Sequence, residues 1–157
     1  MTSSLRKQYK TDSKSETEGV WVTIGTTDDD KPVGFKMKRM GGANKAYEKA
    51  LIAGMKPIQA QINAGVANEA VQKRIAMDCF VRHVVADCEN VEDFRDMANP
   101  DEASIELTFK ADGTLACTPE NMKALFECLP QLYLDLIMQA RDSSIFREEL
   151  LKAAAGN

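Results

Sequence analysis

The chain has 157 residues, 44% hydrophobic and 28% charged, with 20 basic against 24 acidic side chains and a formal net charge of −4. That length suits one domain and that composition a packed core, which excludes a chain disordered throughout; the slight acidity gives no field to hold a polyanion, so nucleic acid is not an expected partner. No apolar run approaches the ~20 residues that span a bilayer, and the N-terminus lacks a signal peptide's hydrophobic core, so no membrane partner is expected and the protein should stay in the cytoplasm where it is made.

Residues 1–18 are polar, with Leu5 and Tyr9 as their sizeable apolar groups. They cannot offset the entropy of ordering and are expected to form a flexible arm, leaving residues 19–157 as a single domain. Next, GVWVTIG (residues 19–25) alternates Val20, Val22 and Ile24 against Trp21 and Thr23. The tract TTDDDKP supplies turn chemistry before Val33, Phe35 and Met37 alternate again, which predicts a β-hairpin with one apolar face.

After Gly41 and Gly42 the positions Tyr47, Ala50, Leu51, Gly54, Met55, Ile58 and Ile62 recur at helical spacing. Pro57 must kink or divide that helix, because it has no N–H for the i−4 carbonyl. A second helix is predicted from about Asn68, with Met77, Phe80, Val81, Val84, Val85 and Cys88 along one stripe and Val71, Ile75 and Cys79 along another. Residues 89–104 are acidic and broken by Asn99 and Pro100, so they read as loop. IELTF and TLAC flank KADG, and Asp-Gly between β-prone runs predicts a second short hairpin.

Thr118 stands ready to cap a helix with Pro119 at its first position. From Met122 to Ala140 the apolar residues keep helical timing across Pro130, where a bend is expected. Asp142 or Ser143 can cap a last helix over residues 144–155. The fold class predicted is α+β, mainly helical, with an N-terminal hairpin and a second hairpin before the C-terminal helices.

Chemistry is harder to find. The glycine pair adjoins Arg39 and Lys45 but lacks the spacing of a P-loop or of G-x-G-x-x-G, so it reads as a strand-to-helix bend with Asn44 able to cap. Cys79, His83 and Cys88 offer the best metal or hydrolase set, yet zinc wants more ligands and short C-x-x-C pairs. The four cysteines, Cys79, Cys88, Cys117 and Cys128, read as reduced thiols. Carboxylate runs such as Asp28-Asp29-Asp30 and Glu148-Glu149 fall in turns or on outer faces. No catalytic residue, metal or cofactor is assigned, and the expectation is a protein that is not an enzyme.

Apolar surface is in excess instead. Leu134 and Met138 lie four apart outside the main stripe, and Ile145, Phe146, Leu150 and Leu151 follow. Two readings stand: the last helix covers Leu134 and Met138, or Leu134, Met138, Ile145 and Phe146 contact a partner. Eight methionines suit an adaptable surface.

Four segments in order, EGVWV, FKMKRMGGANKAYEKAL with MKPI, DGTLACTPENMKALFECLPQLYLDLIMQA and SSIFR, cover about two fifths of the chain. In them the sequence resembles the tail assembly chaperones of phages with long, non-contractile tails. The resemblance implies a protein of the infected host's cytoplasm that binds the tape measure protein, helps recruit the tail tube protein, self-associates, and is absent from the mature virion. It also implies that a frameshifted longer form can exist. Residues 90–104 look inserted relative to the family, and Asp87, Cys88 and Glu89 replace its Trp-containing bend. A structural tail or head-completion component retained in the virion is the alternative.

Overall fold

A computed structural model describes residues 4–97 and 105–147. It is an α+β fold of helices around a three-stranded antiparallel sheet. The predicted first hairpin is β1 (Val20–Thr26) and β2 (Pro32–Met37), paired with Val22 opposite Phe35. Its inner face is the alternating set, for Phe35 and Met37 are fully buried while Trp21 is exposed. The register slips between Thr23 and Gly25, which leaves Ile24 unpaired and 46% exposed.

The helix after the glycine pair is α3 (Lys45–Met55), and Pro57 ends it in a 3₁₀ turn before the short α4 (Gln59–Asn63). Gly54 allows α3 to approach the next helix closely, because a Cβ there would lie 2.8 Å from Ile75 Cγ2. That helix, α5 (Glu69–His83), is capped by Asn68, whose side chain accepts from the amides of Ala70 and Val71.

The stripe predicted to run on to Cys88 does not stay helical. Helix α5 stops at His83, and β3 (Val85–Glu89) pairs antiparallel with β2, placing Cys88 opposite Phe35. Val84 and Val85 favour a strand, and the free edge of β2 supplies the partner that decides it. Asn44 locks the junction: its amide donates 2.9 Å bonds to the carbonyls of Arg39 and His83, satisfying a carbonyl that the helix end leaves open.

The second hairpin is a tight turn closed by a single bridge, Phe109 to Leu115. Asp112 accepts from the amide and hydroxyl of Thr114, and Gly113 takes φ +87°. Its ladder stays short because the buried Asn121 takes over the flanks. The Asn121 amide donates to the carbonyls of Thr108 and Ala116 at 2.8 Å, and its oxygen accepts from Thr108 N–H at 3.2 Å. Thr118 caps α6 (Pro119–Cys128), accepting from Asn121 N–H. At Leu129, with φ −123° and ψ 74°, the chain leaves helical geometry, so Pro130 opens a separate helix, α7 (Pro130–Arg141), where a bend was expected.

The N-terminal segment departs most from expectation. Residues 4–18, predicted as a flexible arm, form α1 (Ser4–Tyr9) and α2 (Ser13–Glu18). Polar contacts dock them: Asp12 caps α2 and donates its amide to the carbonyl of Phe146 at 2.8 Å, and Thr11 bridges to Arg147. The buried Glu16 carboxylate pairs with the Arg39 guanidinium and accepts from the Thr11 hydroxyl.

The core joins sheet, α5, α6 and α7 through four rings. Phe126 lies 6.4 Å from Phe35, 5.8 Å edge-on to Phe80 and 5.3 Å stacked on Tyr133, and Phe80 meets Tyr133 edge-on at 5.2 Å. Among the described residues no helix is long and apolar enough to cross a membrane.

Asn121 is the side chain that ties the second hairpin to α6. Asn121→Ala should lower stability by about 1–3 kcal/mol, since it removes a buried side chain and its bonds and leaves Thr108 N–H without that acceptor, while the Thr108 and Ala116 carbonyls keep the amides of Ala116 and Thr118. Urea unfolding checks this; a loss below about 0.5 kcal/mol, the range of an ordinary surface change, would show the turn to be self-supporting.

Candidate functional site

Helix α7 turns Leu136 and Ala140 wholly inward, and Leu132, Tyr133 and Ile137 half so, following the predicted stripe. Leu134 and Met138 point the other way. Four residues apart and therefore on one face, they are 52% and 70% exposed. An apolar pair that the core has no use for is left at the surface.

The other two predicted contact residues do not join them. Asp142 caps a 3₁₀ turn, Ser143–Phe146, in which Ile145 is half-buried and Phe146 fully buried. Phe146 is thus removed from the candidate surface. The N-terminal helices α1 and α2 pack against this turn. Leu150, Leu151 and the rest of the expected last helix lie outside the described residues.

The glycine pair forms a bend. Gly41 has φ +117° and Gly42 φ +56°, conformations that favour glycine. A Cβ on Gly42 would lie 2.8 Å from Arg39 Nη1 and on top of Glu16 Oε2, so its hydrogen makes room for the ion pair. Arg39, the cation nearest the bend, is committed to Glu16, and Lys45 pairs with Glu48 at 3.5 Å. Asn44 sits at the helix start but spends its side chain on Arg39 and His83, leaving no cap bond.

The cysteine and histidine set is dispersed. Cys79 and His83 line a groove of about 370 Å³ between α3 and α5, whereas Cys88 lies in the core and donates its thiol to the Leu115 carbonyl at 3.4 Å. Burial raises the pKa of Cys79. The hydrogen bond shared with Cys88, and then burial, push the Cys117 thiol well above its ordinary value. Neither is an activated nucleophile, which would need a depressed pKa. All four cysteines are free thiols, and among the described residues no three His, Cys, Asp or Glu side chains converge as a metal site.

Asp78, on the same groove, accepts from Lys123 at 2.5 Å and Arg82 at 2.9 Å. The Lys123 hydrogen bond is the main cause holding its carboxyl below the usual range, against a smaller opposing effect of burial. This cluster pins α6 to α5.

Sequence reasoning missed a second apolar concavity. A cleft of about 340 Å³ opens beside the first hairpin, walled by β2, the segment after β3 and the α6–α7 junction. Its walls come from parts of the chain that only the tertiary fold brings together, so no local spacing could reveal it.

The burial difference along this C-terminal stretch has a direct test. The double change Leu134→Ser and Met138→Ser should alter stability by less than about 0.5 kcal/mol, while Phe146→Ala should cost about 3–5 kcal/mol. Thermal or urea unfolding separates the two; equal costs would mean that the α7 face is covered.

No curated protein and no solved structure matches the chain. The model of the YdaY prophage protein family matches residues 42–157, from the second glycine of the bend through α7 and onward. The chain therefore belongs to the YdaY prophage protein family and is a protein of phage origin.

Proposed function

We propose that this phage protein is a tail assembly chaperone, acting by binding and without catalysis. The observation that carries the reading is the exposed Leu134 and Met138 pair on an outer face of α7, next to a stripe that already fills the core. The resemblance further implies that the tape measure protein is long and helical. Its unpaired apolar face is an aggregation hazard, and many copies of a small holder would cover it. The partners proposed are the tape measure protein, the tail tube protein and further copies of this chain. The place of action is the host cytoplasm, and the protein leaves before the virion is complete.

Phage origin, which the family establishes, supports this reading and is equally compatible with a structural tail or head-completion component. Co-expression with the tape measure protein of the same phage distinguishes them. A tag on the tape measure protein should recover it in soluble form with many copies of this chain, counted by light scattering, and the Leu134→Ser, Met138→Ser variant should reduce that number at least several-fold. A tape measure protein that stays insoluble and unbound, together with this chain detected by blotting in purified virions, would establish the structural component instead.

A further inference from the structure

The cleft beside the first hairpin has a composition that specifies a ligand. Its floor is apolar: Val33 and Phe35 from β2, Leu125 from α6, Leu129 and Leu132 from the break before and within α7, and Phe94 from the segment after β3. At its mouth Ile24 and Met97 are 46% and 49% exposed. The volume, about 340 Å³, lies at the lower end of the ~300–1,000 Å³ usual for ligand pockets and takes a bulky side chain more readily than a large cofactor.

The rim is acidic. Asp28 and Glu92 line the cleft, and Asp29 and Asp30 continue the turn that carries Asp28. Thr27 shapes this turn: its amide donates to the Lys31 carbonyl, its carbonyl accepts from Asp30 N–H at 2.9 Å, and Asp30 takes φ +61°. Among the described residues none of these four carboxylates has an ion-pair partner, and Lys31 is the only basic residue between β1 and β2. Elsewhere on the molecule Asp78, Asp87 and Asp93 are each paired with a cation. An apolar cleft edged by unpaired negative charge selects an apolar anchor flanked by Lys or Arg, because the charges steer approach and reject acidic competitors.

We infer that this cleft, formed by the first hairpin, the segment after β3 and the α6–α7 junction, is the docking site for an apolar side chain on a basic-flanked segment of the partner protein. For the identity of that partner as the tape measure protein the inference rests on the chaperone reading. The exposed face of α7 then supplies breadth of contact, and the cleft supplies register.

The test uses the full chain and two fluorescein-labelled amphipathic peptides, one of Leu and Lys and one of Leu and Glu in the same pattern, read by fluorescence anisotropy. The Leu/Lys peptide should bind roughly ten-fold tighter or more, and the preference should shrink in high salt. Asp28→Lys with Glu92→Lys should reverse the preference, and Ile24→Ser, at a half-exposed site, should weaken both peptides. Glu18→Lys with Glu48→Lys changes net charge equally at the far end of the hairpin and should leave the preference intact. Equal binding of both peptides, an unaltered preference in the Asp28/Glu92 variant, or an equal effect of the control variant would overturn the inference. So would a change of oligomeric state in the Asp28/Glu92 variant without a change in peptide binding, which would assign the cleft to a second copy of this chain. Co-purification with the tape measure protein separates the two levels. Wild type and the Asp28/Glu92 variant recovered equally would sink the cleft and spare the chaperone, whereas peptide preference without any tape measure binding would do the reverse.

Discussion

The contact among Phe35, Phe80, Phe126 and Tyr133 is the constraint from which the rest of the structure follows. One ring comes from the middle strand and one from each of three helices, so the sheet, α5, α6 and α7 have a common point of closure. Each such pair adds about 0.5–1.5 kcal/mol to the apolar burial it accompanies. Its geometry is also directional, with two edge-on contacts and one stack, which a core of aliphatic side chains would not impose. Because Tyr133 must face this cluster, the opposite side of α7 is turned to solvent, and Leu134 and Met138 are exposed as a geometric consequence.

A second, polar layer is built on the first. Asn44 ties the end of α5 to the exit of β2, Asn121 ties the second turn to α6, and Glu16 with Arg39 ties the N-terminal helices to the glycine bend. Each uses a buried polar side chain with at least one partner more than ten positions away. Buried groups of this kind stabilise little when satisfied and cost much when they are not, so they fix which arrangement is adopted more than how strongly it is held.

Much of the fold was legible where the determining physics is local. The alternation of Val33, Phe35 and Met37, the helix start near Asn68, the Thr118 cap, Pro119 at a first helical position and Pro57 as a breaker all act within a few residues, and the structure uses each of them. Strand β3 was not legible, because Val84, Val85 and Cys88 prolong a helical stripe until β2 offers them an edge. The order in residues 4–18 was hidden for a related reason: Leu5 and Tyr9 remain largely exposed, and what fixes the segment is a carboxylate whose guanidinium partner lies 23 positions away. That segment packs against the turn that carries the buried Phe146, a neighbour that no local spacing announces. That Leu134 and Met138 lie outside the core stripe could be read from periodicity, whereas their exposure could not, because a covering last helix was equally open. The acid-rimmed cleft could not, since its walls meet only in three dimensions.

The bond from Asp12 N–H to the Phe146 carbonyl also bears on the order of events during synthesis. The first helices leave the ribosome early, yet the backbone that receives them, at Phe146, is made about 130 residues later. At about 5–20 residues per second, the interval between the two lasts on the order of ten seconds. During that time the hairpin, α5 and α6 can condense, while α1 and α2 wait without their partner. Docking of α1 and α2 therefore waits until Phe146 has been made, and a nascent chain halted before α7 would present its N-terminal residues to the solvent together with the unfilled side of the aromatic cluster.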